Sequence, residues 1–284
     1  MRLGPSPATV FVGREVELTR LRGALDKAAL VTLWGAAGLG KTRLAQRLVE
    51  VEGNALFVDL TEATDLIGIC EAVARAMSLS LTGRGASDVT DEIGRALDAR
   101  GRLLLVLDNY EQVAAHAKAT LGRWMQKARV ARFLVTSREL LDLPGEAAFA
   151  LEPLSLPAQG KPLADSEALQ LFIARATAVR GEYKPEGAEL TAVRDVVQQL
   201  EGIPLAIELA ASRMGVLSAA TLRDRLKDRL SVLASQGKYA TARQATLRGA
   251  IDWSFQLLDP FEKRPSPSCR CFAAAFRRRA LKKW

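Results

Sequence analysis

Residues Gly35 to Thr42 read Gly-Ala-Ala-Gly-Leu-Gly-Lys-Thr, the spacing G-x-x-x-x-G-K-[ST] of a phosphate-cradling loop. Such a loop needs glycines so that the backbone can curl around an anion without Cβ clashes. It also needs a helix start behind it, whose free N–H groups hold negative charge. Both requirements constrain the fold. Leu30–Trp34 is a short apolar run with β-branched residues, which reads as a strand, and Leu44, Leu48 and Val51 follow at helical spacing. In that setting Gly35, Gly38 and Gly40 shape the loop, Lys41 reaches the outer phosphates and the Thr42 hydroxyl is placed for Mg²⁺. The bland alternative is a glycine-rich strand-to-helix turn that binds nothing.

The rest of the first half alternates in the same manner. Glu15 to Lys27 reads as a helix. Strands are expected at Ala55–Leu60, Leu103–Leu107, Arg132–Thr136 and Ala147–Leu151, with helices at Leu66–Leu79, Asp88–Ala99 and Glu111–Lys127 between them. Leu103 to Leu107 is apolar throughout, as a strand in the middle of a parallel sheet should be. The fold expected is α/β, a P-loop NTPase with a doubly wound parallel sheet, its ligand at the carboxyl ends of the strands. After Pro153 the chain becomes helical: Asp165–Val179, Glu189–Glu201, Pro204–Met214, Ala219–Ala234 and Thr246–Leu258. We divide it into a lead (1–9), a nucleotide-binding domain (10–154), a linker (155–164), a helical domain (165–240), the start of a winged-helix domain (245–262) and a basic tail (263–284).

Charge argues against a nucleic-acid-binding body. The net charge is +8, and Lys263, Arg264, Arg270, Arg277, Arg278, Arg279, Lys282 and Lys283, with no acid among them, account for all of it. Nucleic acid is therefore expected only indirectly or through that tail. No uncharged apolar stretch is long enough to span a membrane. Three cysteines, Cys70, Cys269 and Cys271, make no disulfide framework, and the expected compartment is the cytoplasm.

Further candidates gather around the loop. Asp108, at the end of the all-apolar strand, can order Mg²⁺, or merely cap the next turn. Asn109 follows it, and an amide cannot take a proton from an attacking water. Glu111 is a substitute in a different geometry, so slow hydrolysis is expected. Arg138, after the fourth strand, can stabilise a γ-phosphate; alternatively Thr136 and Glu139 form a T-x-x-E capping box that leaves Arg138 merely exposed. Gly202-Ile203-Pro204 either punctuates two helices or forms a wall against a base. His116, the single histidine, has no metal-ligand neighbours, and Cys269-x-Cys271 lacks a partner pair for zinc. No Asn-Lys-x-Asp guanine reader occurs, which favours adenine.

Six motifs in order carry a family resemblance: Phe11-Val-Gly-Arg-Glu15, Gly35 to Thr42, Leu104 to Asn109, Val135-Thr-Ser-Arg138, Gly202 to Ala211, and Thr246-Leu-Arg-x-Ala-Ile-x-Trp-Ser254. Together they resemble the NB-ARC-like signal-transduction ATPases with numerous domains (STAND), and within them the ATPase core of bacterial LuxR- and AfsR-type transcriptional regulators. The resemblance implies an ATP/ADP switch with Mg²⁺, closed and monomeric with ADP, and opened by ATP for self-association or for an effector-domain partner. It implies that Val12 and Arg14 touch the adenine side, Lys41 and Thr42 the phosphates and metal, Arg138 the γ-phosphate, and that Pro204 packs on the nucleotide. Such relatives continue into a whole winged helix. Here the composition breaks after residue 262, and we expect an aberrant C-terminus, with a genuine basic arm as the rival reading. The function expected is a regulatory ATPase module; the alternatives are a non-functional fragment of such a regulator and a stand-alone ATPase.

Overall fold

The computed structural model describes residues 11–83, 85–157 and 166–235. The expected winged-helix start and basic tail, and Cys269 and Cys271, lie outside the described residues, as do the lead and most of the linker.

Five strands, β1 (Leu30–Trp34), β2 (Ala55–Asp59), β3 (Leu104–Asp108), β4 (Arg132–Ser137) and β5 (Glu146–Ala150), form one sheet in the order β2-β3-β4-β1-β5. Every pairing is parallel. The two strands that end in the phosphate loop and in Ser137 are direct neighbours, with Trp34 paired to Ser137. Asp59 and Asp108 are likewise in register at the carboxyl edge. The topology thus delivers the candidate residues of three separate motifs to one edge of the sheet, where an open α/β sheet binds its ligand.

Alternation along the buried strands splits the core into two layers. Leu105, Leu107, Phe133 and Val135 point into a cluster with α3 (Leu66–Ala76), α4 (Ala86–Ala99) and α5 (Leu121–Lys127). Leu104, Val106, Leu134, Val31 and Leu33 point the other way, onto α1 (Glu15–Lys27) and α2 (Lys41–Val51). Covering both faces is what a parallel sheet requires. A third cluster is mainly helical and takes in Leu154 from the segment after β5. It joins α6 (Glu167–Arg180), α7 (Gly187–Gln199), α8 (Pro204–Ala211) and α9 (Ala219–Ser235) around Phe172, Val193, Ile207 and Leu222.

One expected element is different. Residues 111–127 do not form a continuous helix: two short 3-10 turns, Tyr110–Gln112 and Ala114–His116, precede α5, which begins only at Leu121. Tyr110 is fully buried, and its hydroxyl meets Thr120 Oγ1 at 2.6 Å. Thr120 Oγ1 also donates to the His116 carbonyl. A helix running on from Glu111 would separate Tyr110 and Thr120 by about 15 Å at 1.5 Å per residue, so this buried contact requires a tighter path.

Candidate functional site

Backbone geometry builds the loop before any side chain acts. Gly35, Gly38 and Gly40 have φ of 152°, 81° and 88°. At Gly35 a Cβ would come within 2.9 Å of the Leu151 carbonyl oxygen. At Gly40 no atom lies within 4 Å of where a Cβ would be, so the loop opens there into free space. Behind it α2 starts at Lys41 with no side-chain cap and no acid in its first turn. The positive end of that helix therefore faces the cleft with its first N–H groups uncapped by side chains.

Lys41 lies back along the loop, its Nζ donating to the carbonyls of Gly35 (2.8 Å) and Ala36 (3.1 Å). Burial holds its ammonium below the ordinary lysine range, partly opposed by the nearby Glu111 carboxylate. Asp108 is fully buried at the end of β3. Thr42 Oγ1 lies 3.0 Å from both of its oxygens, Thr136 Oγ1 donates to Oδ1 at 2.5 Å, and Asn109 Nδ2 donates to Oδ2 at 3.0 Å. All these donors are neutral, and burial pushes the Asp108 carboxyl above its usual range. A buried carboxylate beside a threonine hydroxyl, without a cationic side chain bonded to it, fits a hard divalent cation that completes its shell with water and phosphate oxygens. Among the described residues no group of three His, Cys, Asp or Glu side chains could hold a metal.

Thr136 is not a helix cap. No helix starts between β4 and β5; the Thr136 hydroxyl is turned to Asp108 and accepts from the Asn109 N–H at 3.0 Å, while the Glu139 N–H finds Ser137 Oγ. That corrects the capping-box alternative. Arg138 projects at the rim, its side chain 58% exposed, with Nε 3.0 Å from Glu111 Oε1.

Arg14 borders the cleft beside Val12, and most of its polar atoms are engaged within the protein. It is buried in a left-handed conformation (φ 69°). Its guanidinium donates to the Glu152 carbonyl (2.7 Å), to the Leu39 carbonyl (3.4 Å) and to Glu17 (2.8 Å), and its N–H donates to Glu167 Oε1 at 2.6 Å. Arg14 therefore ties the entry segment, the phosphate loop, the segment after β5 and α6 together. Only the remainder of its surface borders the cleft.

The cleft has a volume of about 310 Å³. Val12, Leu154, Leu171 and Pro204 form an apolar end; Lys41, Thr42, Glu111 and Arg138 form a polar end. Pro204 is the first residue of α8, where its missing N–H costs nothing. The next residue, Leu205, donates its N–H to the Gly38 carbonyl at 3.1 Å. Glu208, one turn further, pairs with Arg43 of α2 (2.8 Å) and Arg175 of α6 (2.9 Å). Glu167 was not singled out from sequence. Leu205 and Glu208 lie inside the Gly202-to-Ala211 motif without a role of their own there, and Thr136 was named only as half of the capping box, which assigned its hydroxyl a different partner.

Loop, buried acid and strand order define a P-loop nucleotide-binding ATPase fold. The sequence model of the AAA domain matches residues 24–143, from the end of α1 to beyond β4. The uncharacterized protein Rv0894 of Mycobacterium tuberculosis is 32% identical over 273 residues, covering 94% of this chain and 67% of that protein. The chain belongs to the same family of proteins with an AAA-type P-loop ATPase domain. Rv0890c of M. tuberculosis, provisionally named an HTH-type transcriptional regulator, is 34% identical over 246 residues, but the match spans only 27% of its length. The regulatory protein AfsR of Streptomyces griseus is 33% identical over 227 residues, 73% of this chain and 21% of AfsR. Among solved structures, the Walker-type ATPase PABY2304 of Pyrococcus abyssi superposes with a TM-score of 0.57 at 12% identity, over 83% of this chain and 78% of that one; this likeness concerns fold alone. No helix among the described residues is long and apolar enough to cross a membrane.

Proposed function

We propose that the chain binds ATP and ADP with Mg²⁺ in this cleft, hydrolyses ATP slowly, and uses the nucleotide state to set the position of its helical half. In this reading it is the regulatory ATPase module of an NB-ARC-like STAND signalling or transcriptional regulator, working in the cytoplasm. The observation that carries it is the Leu205 N–H on the Gly38 carbonyl. The helical unit touches the phosphate loop itself, so whatever fills the loop bears on where α8 begins. The names of Rv0890c and AfsR support the regulatory setting.

This reading gives each residue a role. Gly35, Gly38, Gly40 and Lys41 take the phosphates, Lys41 giving up its loop carbonyls for phosphate oxygens. Thr42 and Asp108 hold Mg²⁺, which supplies charge neutralisation on the β- and γ-phosphates. Arg138 meets the γ-phosphate. Val12 and Pro204 line the adenine end, with Arg14 behind them as a clamp. The domain boundary lies near residue 155, and the module takes a self-association or effector-domain partner once ATP opens it.

Amide hydrogen exchange tests the coupling. With a non-hydrolysable ATP analogue bound, exchange of the α8 first turn, including Leu205, should differ from that with ADP bound. Identical protection with both nucleotides would rule out gating through this contact.

A further inference from the structure

At the apolar end of the cleft, Val12, Leu154, Leu171 and Pro204 offer no polar side chain. The Arg14 guanidinium beside them is engaged by Glu17 and by the Glu152 and Leu39 carbonyls. What remains polar there is backbone. None of the described residues bonds to the N–H or carbonyl of Val12 or Gly13. Residues 11–14 precede α1 and belong to no strand, so no ladder fixes these peptide groups. Their place is set by packing and by side chains. Phe11 packs on the α1/α2 layer and Val12 on the helical cluster.

One side chain grips the backbone of this segment, and it comes from the helical unit. Glu167 is the first residue of α6. Its Oε1 accepts from the Arg14 N–H at 2.6 Å, while Oε2 accepts from the Ser155 N–H at 3.3 Å and lies 3.4 Å from Ser155 Oγ. The fit is close. Gly13 has φ +71°, and a Cβ there would lie 2.5 Å from Glu167 Oε1 and 2.8 Å from its carboxyl carbon. Only a glycine admits the carboxylate against this peptide. Glu167 is itself pinned: its N–H donates to Ser155 Oγ at 3.0 Å, and Ser166 caps α6 by accepting from the Leu169 N–H. The helix dipole accounts for an acid at the start of α6. It does not account for a carboxylate held against residues 13 and 14 of another unit, in a charge-assisted bond of the stronger kind.

We infer that Glu167 is the positioning residue for base recognition: from the start of α6 it holds the free peptide groups of Val12 and Gly13 against the base of a bound nucleotide. The inference rests on the reading of the cleft as an adenine-nucleotide site. The base-dependent part of the affinity is then set from the helical unit, while the phosphate part is set by the loop and α2. The two parts are separable. Glu167 makes no bond to Gly35–Thr42, and without its carboxylate the Arg14 guanidinium keeps its own carbonyl partners at Glu152 and Leu39.

The full chain, with Mg²⁺, is titrated with ATP and with inorganic tripolyphosphate as wild type, Glu167→Ala and Glu167→Gln. A bond to a charged acceptor is at stake, so Glu167→Ala should weaken ATP about tenfold or more and leave tripolyphosphate within about threefold. Glu167→Gln keeps an acceptor oxygen for the Arg14 N–H and should hold ATP within about threefold of the wild type. Equal losses for both ligands would mean general structural support and overturn the assignment. So would unchanged ATP affinity in Glu167→Ala, or a Glu167→Gln loss as large as that of Glu167→Ala. A wild type that binds tripolyphosphate as tightly as ATP overturns it too, and leaves the phosphate loop intact. A wild type that binds neither overturns the nucleotide-site reading as well. If Glu167→Ala does not fold, Gly13→Ala replaces it, because its methyl displaces the same carboxylate. A loss confined to ATP supports the role, and an equal loss or none overturns it.

Discussion

Gly202 links the helical unit to the nucleotide domain, and its replacement by alanine has a cost that can be worked out. Its φ is +69°, and a Cβ there would lie 2.4 Å from the Leu154 carbonyl oxygen and 3.3 Å from the carbonyl carbon. That carbonyl cannot simply retreat, because the Leu154 N–H donates to the Gly202 carbonyl at 2.9 Å. A left-handed conformation costs a non-glycine residue about 1–2 kcal/mol. Forcing a methyl into closed space adds about 1–3 kcal/mol. We expect Gly202→Ala to lose about 3 kcal/mol, a large part of a stability of about 5–15 kcal/mol. Gly101 is the internal control: its φ is +64°, and no atom lies within 4 Å of its absent Cβ. Gly101→Ala should therefore show the conformational cost without the clash, about 1 kcal/mol. Urea denaturation reads both, as midpoint shifts at constant slope. In Gly202→Ala the push falls two residues before Pro204, so ATP affinity should fall too. If Gly202→Ala proves no more costly than Gly101→Ala, the packing argument for this junction is wrong.

Two further substitutions address the polar end. Arg138→Ala should weaken ATP about tenfold or more and leave ADP nearly unchanged, because the proposed contact is a charge-assisted bond to the γ-phosphate; equal losses in parallel titrations would place Arg138 outside that role. Asp108→Asn should remove the increase in ATP affinity that Mg²⁺ brings. It should also change the pH dependence of stability without ligand. Burial raises the Asp108 carboxyl above its usual range, so between the ordinary and the raised value the folded chain keeps a proton that the unfolded chain has released. Wild-type stability falls as pH rises through that window, and the fall should be absent in Asp108→Asn. An unchanged slope would contradict the burial argument.

The sheet was legible because its signals are local. The apolar run ending in Asp108 and the glycines before Lys41 state strand, turn and helix within a few residues, and the observed bounds of β1, β3, α1 and α2 follow them. Residues 111–127 misled because Ala114-Ala-His-Ala-Lys-Ala has ordinary helix propensity, while the deciding contact, Tyr110 to Thr120, is a burial event that periodicity does not encode. The site divides in the same way. Lys41, Thr42, Asp108 and Arg138 are visible as motifs and are brought to one edge. The clamp of Arg14 on Glu152 spans 138 residues and the Arg43–Glu208 pair spans 165, so neither has a sequence signature. Glu111 was visible only as an acid two positions beyond Asn109. Its bond to Arg138 belongs to the folded chain.

Calorimetric titration of ATP and ADP, each with Mg²⁺, into folded wild type and Lys41→Ala tests the central claim most directly. The account predicts one saturable site for either nucleotide in the wild type. It predicts that Lys41→Ala loses about 1.5–3 kcal/mol of binding free energy, as removal of a charged donor from the phosphates requires. A wild type silent to both nucleotides at millimolar concentration, or a Lys41→Ala variant that binds ATP as tightly as the wild type, would contradict it.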